Sequence, residues 1–246
     1  MNVSWIEVFI DSISSLPIRL KIIKPNDISK GFVLHFHGFP GYPVIQDYDN
    51  IAENLFVKLG YTFITYNYPG LWDSPGVFSV ENLTTSTLKI IETIFSSDNL
   101  SHKKLILFCE SLGGLVGTNT VRENSNVVEK VILRSPVLDL DPILPFLPLT
   151  FDQLNKMGIL RLSNEKFNFD DLSQYNPKVL LQNITNIPFW GVIGKNDEVL
   201  PGEIMIKAAE KIPNINLELW EDFPHNDISE NLWKKYFASI ELFLDK

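Results

Sequence analysis

The sequence is short of three things: it has one cysteine, no cluster of basic residues and no long uninterrupted apolar run. A single thiol excludes an internal disulfide and leaves too few thiolates for a cysteine-based metal site. The 21 basic side chains stand against 30 acidic ones, giving a net charge of −9. On that background a polyanion would need a local basic patch, so nucleic acid is not an expected partner. No apolar stretch approaches the ~20 residues that span a bilayer. The N-terminal MNVSWIEVFIDS lacks the basic region of a signal peptide, and Glu7 and Asp11 interrupt its apolar residues. The expectation is a cytoplasmic protein without a membrane span.

What the chain does have is material for a core. Its 246 residues are 45% apolar and include 17 phenylalanines, enough for one large α/β domain or two small ones. Residues 5–10 and 16–24 read as a hairpin of partly exposed strands. Strands are expected at 31–38, 61–68, 103–110, 127–137, 188–194 and 216–221. Helices are expected at 49–60 and at about 82–97, 112–123, 201–212 and 229–244. Strands alternating with helices imply crossover connections, hence a mostly parallel sheet flanked by helices.

Residues 139–176 break the alternation. Pro142, Pro145 and Pro148 fall close together there among many apolar residues, and no strand of the main sheet is evident. The segment is too long for an ordinary loop and reads as a small cap or lid inserted after the sixth strand. Residues 1–138 and 177–246 then form the core.

Four short segments carry chemistry. In LILFCESLGG (105–114) an apolar strand ends in Cys109, Glu110 and Ser111, with Gly113 and Gly114 close behind. A strand turning sharply into a helix projects a serine Oγ and aims the unpaired first helical N–H groups at the same space. A serine that merely caps a strand–helix junction would look similar, and Cys109 is a second potential nucleophile. HFHGFPG (35–41) frees the backbone after a strand, so that the Phe39 amide can face Ser111, with His37 bonding inside its own loop as the plainer reading. GKNDEVLP (194–201) sets Asp197 after a strand, where it can accept a hydrogen bond from an imidazole and fix its tautomer; Glu198 beside it reads as a solvated turn residue. FPHND (223–227) sets His225 after the last strand. The order Ser, Asp, His, each directly after its own strand, is what distinguishes this set from four isolated coincidences.

These motifs resemble the α/β-hydrolase superfamily, from about residue 30 to 244, and within it the serine aminopeptidase-like, monoacylglycerol lipase-like and feruloyl esterase-like branches. The resemblance implies the α/β-hydrolase fold, with Ser111 as nucleophile, His225 as general base and then acid, and Asp197 orienting the imidazole. The main-chain amides of Phe39 and Leu112 would form the oxyanion hole, and no metal or organic cofactor is implied. The sequence departs from the family in two places. Asn67 and Pro69 stand in YNYPGLWDS where relatives often carry Asp and Arg. Cys109 stands where G-x-S-x-G has its first glycine. A G-x-C-x-G frame on Cys109 would need glycine at Leu107 and Ser111, so the frame fits the serine alone, and Cys109 reads as a small buried residue.

The implied reaction is hydrolysis of a carboxylic ester or thioester with a hydrophobic acyl or aromatic part, through an acyl-serine. The small-molecule acyl substrate would lie against Leu71 and Trp72 and the cap residues Ile143, Leu144, Phe146, Leu147, Leu149 and Phe151. An aminopeptidase or amidase, or an acyltransferase, would use the same triad. A non-catalytic ligand-binding protein of the same fold is the alternative of a different class.

Overall fold

The computed structural model describes residues 2–44, 51–96, 104–163 and 169–246. Residues 49, 50, 97 and 103 of the expected elements, and residues 164–168 of the expected cap, lie outside the described residues.

The centre is one eight-stranded sheet, ordered β1-β2-β4-β3-β5-β6-β7-β8. Its strands are β1 (Asn2–Ile10), β2 (Ser14–Lys24), β3 (Gly31–Phe36), β4 (Thr62–Tyr66), β5 (Lys104–Glu110), β6 (Val128–Arg134), β7 (Phe189–Gly194) and β8 (Ile215–Trp220). β1 and β2 form the expected antiparallel hairpin, and β2 joins β4 antiparallel. Every pairing from β4 through β8 is parallel. β3, β4 and β7 are buried along their whole length, as their continuous apolar runs require of strands covered on both faces.

The α-helices among the described residues are α1 (Ile51–Lys58), α2 (Val80–Ser96), α3 (Gly113–Asn124), α4 (Leu147–Lys156), α5 (Pro177–Leu180), α6 (Gly202–Ala209) and α7 (Glu230–Leu244). The two-residue period of β5 divides the core. Leu105, Leu107 and Cys109 face one layer with Ile90, Ile91, Leu115 and Val116. Ile106 and Phe108 face the other with Phe56, Tyr236 and Ile240. α7 is tied at both ends. The Ser229 hydroxyl accepts the Leu232 N–H at 3.4 Å, and the Lys130 ammonium donates to the Phe243 and Leu244 carbonyls at 3.1 and 2.8 Å.

Between β6 and β7 the described residues hold no strand of the sheet, only α4, α5 and short 3-10 turns. α4 buries Phe151 and Leu154. The segment is bound to the loop after β4. The Arg161 N–H donates to the Gly70 carbonyl at 2.7 Å. Its guanidinium donates to the carbonyls of Trp72, at 2.6 Å, and Ser74.

Candidate active site

Parallel strands bring their carboxyl ends to one edge, and Ser111, Asp197 and His225 follow β5, β7 and β8 on that edge. The corner after β5 is sharp: Ser111 has φ +52°. Its N–H donates to the Arg134 carbonyl at 3.0 Å, and its carbonyl accepts the Val137 N–H at 2.9 Å. Held from both sides, a non-glycine residue persists in a strained conformation. α3 can start at this corner because Gly113 has no side chain; a Cβ there would stand 2.0 Å from the Phe36 carbonyl oxygen. One turn on, Gly117 makes the room that the Cys109 thiol fills, since a Cβ at 117 would lie 2.3 Å from Sγ. Cys109 is fully buried, and burial pushes its thiol well above the ordinary range. That environment disfavours the thiolate that nucleophilic chemistry needs.

A line of hydrogen bonds leaves Ser111. Its Oγ lies 3.0 Å from His225 Nε2. His225 Nδ1 lies 3.0 and 2.9 Å from the two Asp197 carboxylate oxygens. Asp197 Oδ1 also accepts the Val199 and Leu200 N–H groups at 2.9 and 2.7 Å. Burial of the Asp197 carboxyl opposes its charge, and the bonds from His225, Leu200 and Val199 outweigh that and hold it below the usual carboxylate range. A carboxylate on Nδ1 keeps the proton there and leaves Nε2 free to accept one from the serine.

The HFHGFPG loop runs alongside. A Cβ on Gly38 would lie 3.2 Å from Ser111 Cβ and 3.8 Å from its Oγ. His37 Nδ1 donates to the Gly38 carbonyl at 2.6 Å, its ring stacks on Tyr68 at 4.2 Å, and the Tyr68 hydroxyl donates to the His37 carbonyl at 2.8 Å. Burial lowers the His37 imidazole to about 4. Among the described residues the amides of Phe39 and Leu112 donate no hydrogen bond.

Three charged residues escaped the sequence reading. Glu198 is not a free turn residue: its carboxylate accepts the N–H of His225 at 2.9 Å and that of Asn226 at 2.8 Å. Glu110 pairs with Arg134 and with His35 Nε2, the latter at 2.7 Å. Burial disfavours the Glu110 charge, but Arg134 and His35 hold the carboxyl well below its ordinary range. Arg134 Nη1 donates to the His225 carbonyl at 2.9 Å. The only sequence signal was adjacency, of Glu110 to Ser111 and of Glu198 to Asp197; Arg134 had none.

The expected substrate contacts separate. Leu71 is fully covered and bridges Leu160, so its side chain packs the core and does not face open space, which corrects that expectation. Trp72 donates from Nε1 to the Pro40 carbonyl at 2.9 Å. Leu147 packs against the core with Ile143 and Leu144. Phe146 and Leu149 point outward, 70% and 64% exposed. Phe151 turns inward and stacks on Phe39 at 4.8 Å. A cavity of about 660 Å³ is walled by Trp5, Phe9, Leu16, Asn67, Asp73 and Arg161 among others, and none of Ser111, His225, Leu71, Trp72, Phe146 or Leu147 lines it. Among the described residues no group of three or more His, Cys, Asp or Glu side chains is arranged to hold a metal ion.

Comparison with known proteins agrees with this architecture. Residues 27–183, more than half of the chain, match the family described as serine aminopeptidase, S33. An uncharacterized membrane protein of Saccharomyces cerevisiae is 26% identical over 188 residues, 74% of this chain but 62% of that protein, so the chain spans less than two thirds of that relative. No helix among the described residues is long and apolar enough to cross a membrane. Two solved structures share the fold. A soluble variant of the Saccharomyces cerevisiae monoglyceride lipase, bound to a substrate analog, is 16% identical with TM-score 0.75 over 100% of this chain and 95% of that one. Est1E from Butyrivibrio proteoclasticus, bound to ferulic acid, is 16% identical with TM-score 0.73 over 98% of each chain.

Proposed function

Because the chain belongs to the serine aminopeptidase, S33, family and has the α/β-hydrolase fold, we propose that it is a serine hydrolase acting on carboxylic esters or thioesters. The observation that carries this reading is the hydrogen-bonded line from Ser111 Oγ through His225 to Asp197.

Ser111 Oγ attacks the substrate carbonyl carbon as its proton passes to His225 Nε2, and Asp197 stabilises the imidazolium that forms. The carbonyl oxygen becomes an oxyanion facing the Phe39 and Leu112 amides. The tetrahedral intermediate collapses, the bond to the leaving group breaks, and that group takes the proton from Nε2. Water then attacks the acyl-serine, giving its proton to Nε2. Collapse of the second intermediate returns that proton to Ser111 and frees the acid. Asp197 stays ionised throughout.

The residues 139–176 act as a cap over this site, a reading supported by the Phe151–Phe39 stack, which sets α4 against the oxyanion loop. Phe78, 5.4 Å from Phe39 and 5.5 Å from Phe151, completes an aromatic group suited to a hydrophobic acyl or aromatic part. By analogy of fold, the monoglyceride lipase and the ferulic acid complex point to esters of that kind. The family's aminopeptidase description favours one second reading, cleavage of an aminoacyl amide.

A panel of p-nitrophenyl esters of increasing acyl length, a thioester and an aminoacyl p-nitroanilide tests the choice. Ester turnover that is lost in Ser111→Ala is expected. Turnover of the anilide alone would transfer the assignment to the aminopeptidase.

A further inference from the structure

His225 lies in a loop between β8 and α7, outside any regular element that would fix its main chain. Its imidazole bonds orient the ring, but they do not determine where its Cα sits. That position is held by charge. On one side Glu198 accepts the His225 N–H at 2.9 Å and the Asn226 N–H at 2.8 Å. On the other, Arg134 Nη1 donates to the His225 carbonyl at 2.9 Å.

Arg134 is itself fixed. Its Nε donates to Glu110, and its guanidinium lies over the Trp233 ring, 5.6 Å from the centroid. Glu110 faces Arg134 because the parallel β5–β6 register pairs the two residues. Behind Glu110 the line continues to His35 Nε2 at 2.7 Å, and from His35 Nδ1 to Thr65 Oγ1 at 3.1 Å. The same two residues also hold Ser111, which follows Glu110 in the chain and donates its N–H to the Arg134 carbonyl. Serine and histidine, 114 residues apart, thus hang from one ion pair. Stability alone does not call for it, since well-packed apolar groups often replace a buried ion pair without loss. Geometry does call for it, since a misplacement of about 1 Å can cost about a hundredfold in rate.

We propose that Glu110, Arg134 and Glu198 are positioning residues that clamp the main chain of His225 at its carbonyl and its N–H, and so set the Ser111–His225 distance. The proposal rests on the serine hydrolase reading above.

The test measures kcat and KM with p-nitrophenyl acetate, and the second-order rate of fluorophosphonate labelling, for Glu110→Gln, Arg134→Lys, Glu198→Ala and Glu198→Gln. Glu110→Gln, Arg134→Lys and Glu198→Ala, where folded, are each expected to lose about tenfold or more in kcat and in labelling rate, with KM within about twofold. Glu198→Gln, which keeps an acceptor oxygen, should fall between Glu198→Ala and wild type. Should Glu110→Gln fail to fold, Arg134→Lys, which keeps the cation, and Glu198→Ala, at an exposed position, still decide the matter. Folded variants with wild-type kcat and labelling rate overturn the clamp while leaving the serine hydrolase intact. A wild type that neither turns over esters nor takes the label overturns the hydrolase reading, and the clamp with it.

Discussion

At the scale of single residues, the corner after β5 depends on the side chain that Gly113 lacks. Gly113 meets the end of β3 so closely that a methyl group would collide with main chain, which cannot swing aside. Gly113→Ala is therefore expected to cost about 1–3 kcal/mol or more in urea denaturation, with a parallel loss of activity from a displaced Ser111. Cys109→Ala removes a buried, unreactive thiol and should keep most activity in a folded protein. Loss of turnover with the fold intact would transfer the nucleophile to Cys109. Ser111, Asp197 and His225 were legible in the sequence because each directly follows a strand that its own apolar run announces. Glu110, Arg134 and Glu198 were not, because their partners are each other and main-chain groups of a distant loop. From sequence, an acid in a turn and an arginine at a strand end look like solvated charges. Only the β5–β6 register and the approach of the His225 loop give them work.

At the scale of elements, β3 and β4 were readable as buried strands because a sheet covered on both faces demands continuous apolar runs. α4 was not readable. Its prolines suggested an irregular lid, yet Pro148 occupies the first turn, where the missing N–H costs nothing, and Phe151 and Leu154 supply the buried stripe. α7 depends on a contact invisible to local pattern, the ammonium of Lys130 on its last carbonyls. Lys130→Met should lower stability by about 1–3 kcal/mol by leaving those carbonyls without a charged donor. Ester turnover of the folded fraction should be unchanged, because Lys130 meets the last turn of α7, whereas Arg134 meets Trp233 in its first turn. A variant as stable as wild type in thermal or urea unfolding would deny the cap its role.

At the scale of the whole molecule, one buried imidazole links stability to pH. The unfolded chain takes up a proton at His37 near pH 6.5, whereas burial defers this to about 4 in the folded chain. Between those values the unfolded state binds more protons, so stability is lost as pH falls through that window. The loss from pH 7 to 4.5 is expected to be about 2–3 kcal/mol. Asp197 and Glu110, both held below the ordinary carboxylate range, extend the decline at lower pH as they are protonated. Urea midpoints across pH should flatten between 7 and 4.5 in His37→Asn; an unchanged slope would assign the effect elsewhere. The parallel sheet gathers Ser111, Asp197 and His225 at one edge, and the central claim is that this edge performs acyl transfer on Ser111. The direct measurement is intact mass after treatment with a fluorophosphonate. A single adduct is expected on the folded wild type and none on Ser111→Ala. A folded wild type that takes no adduct, or a Ser111→Ala protein labelled equally well, would contradict it.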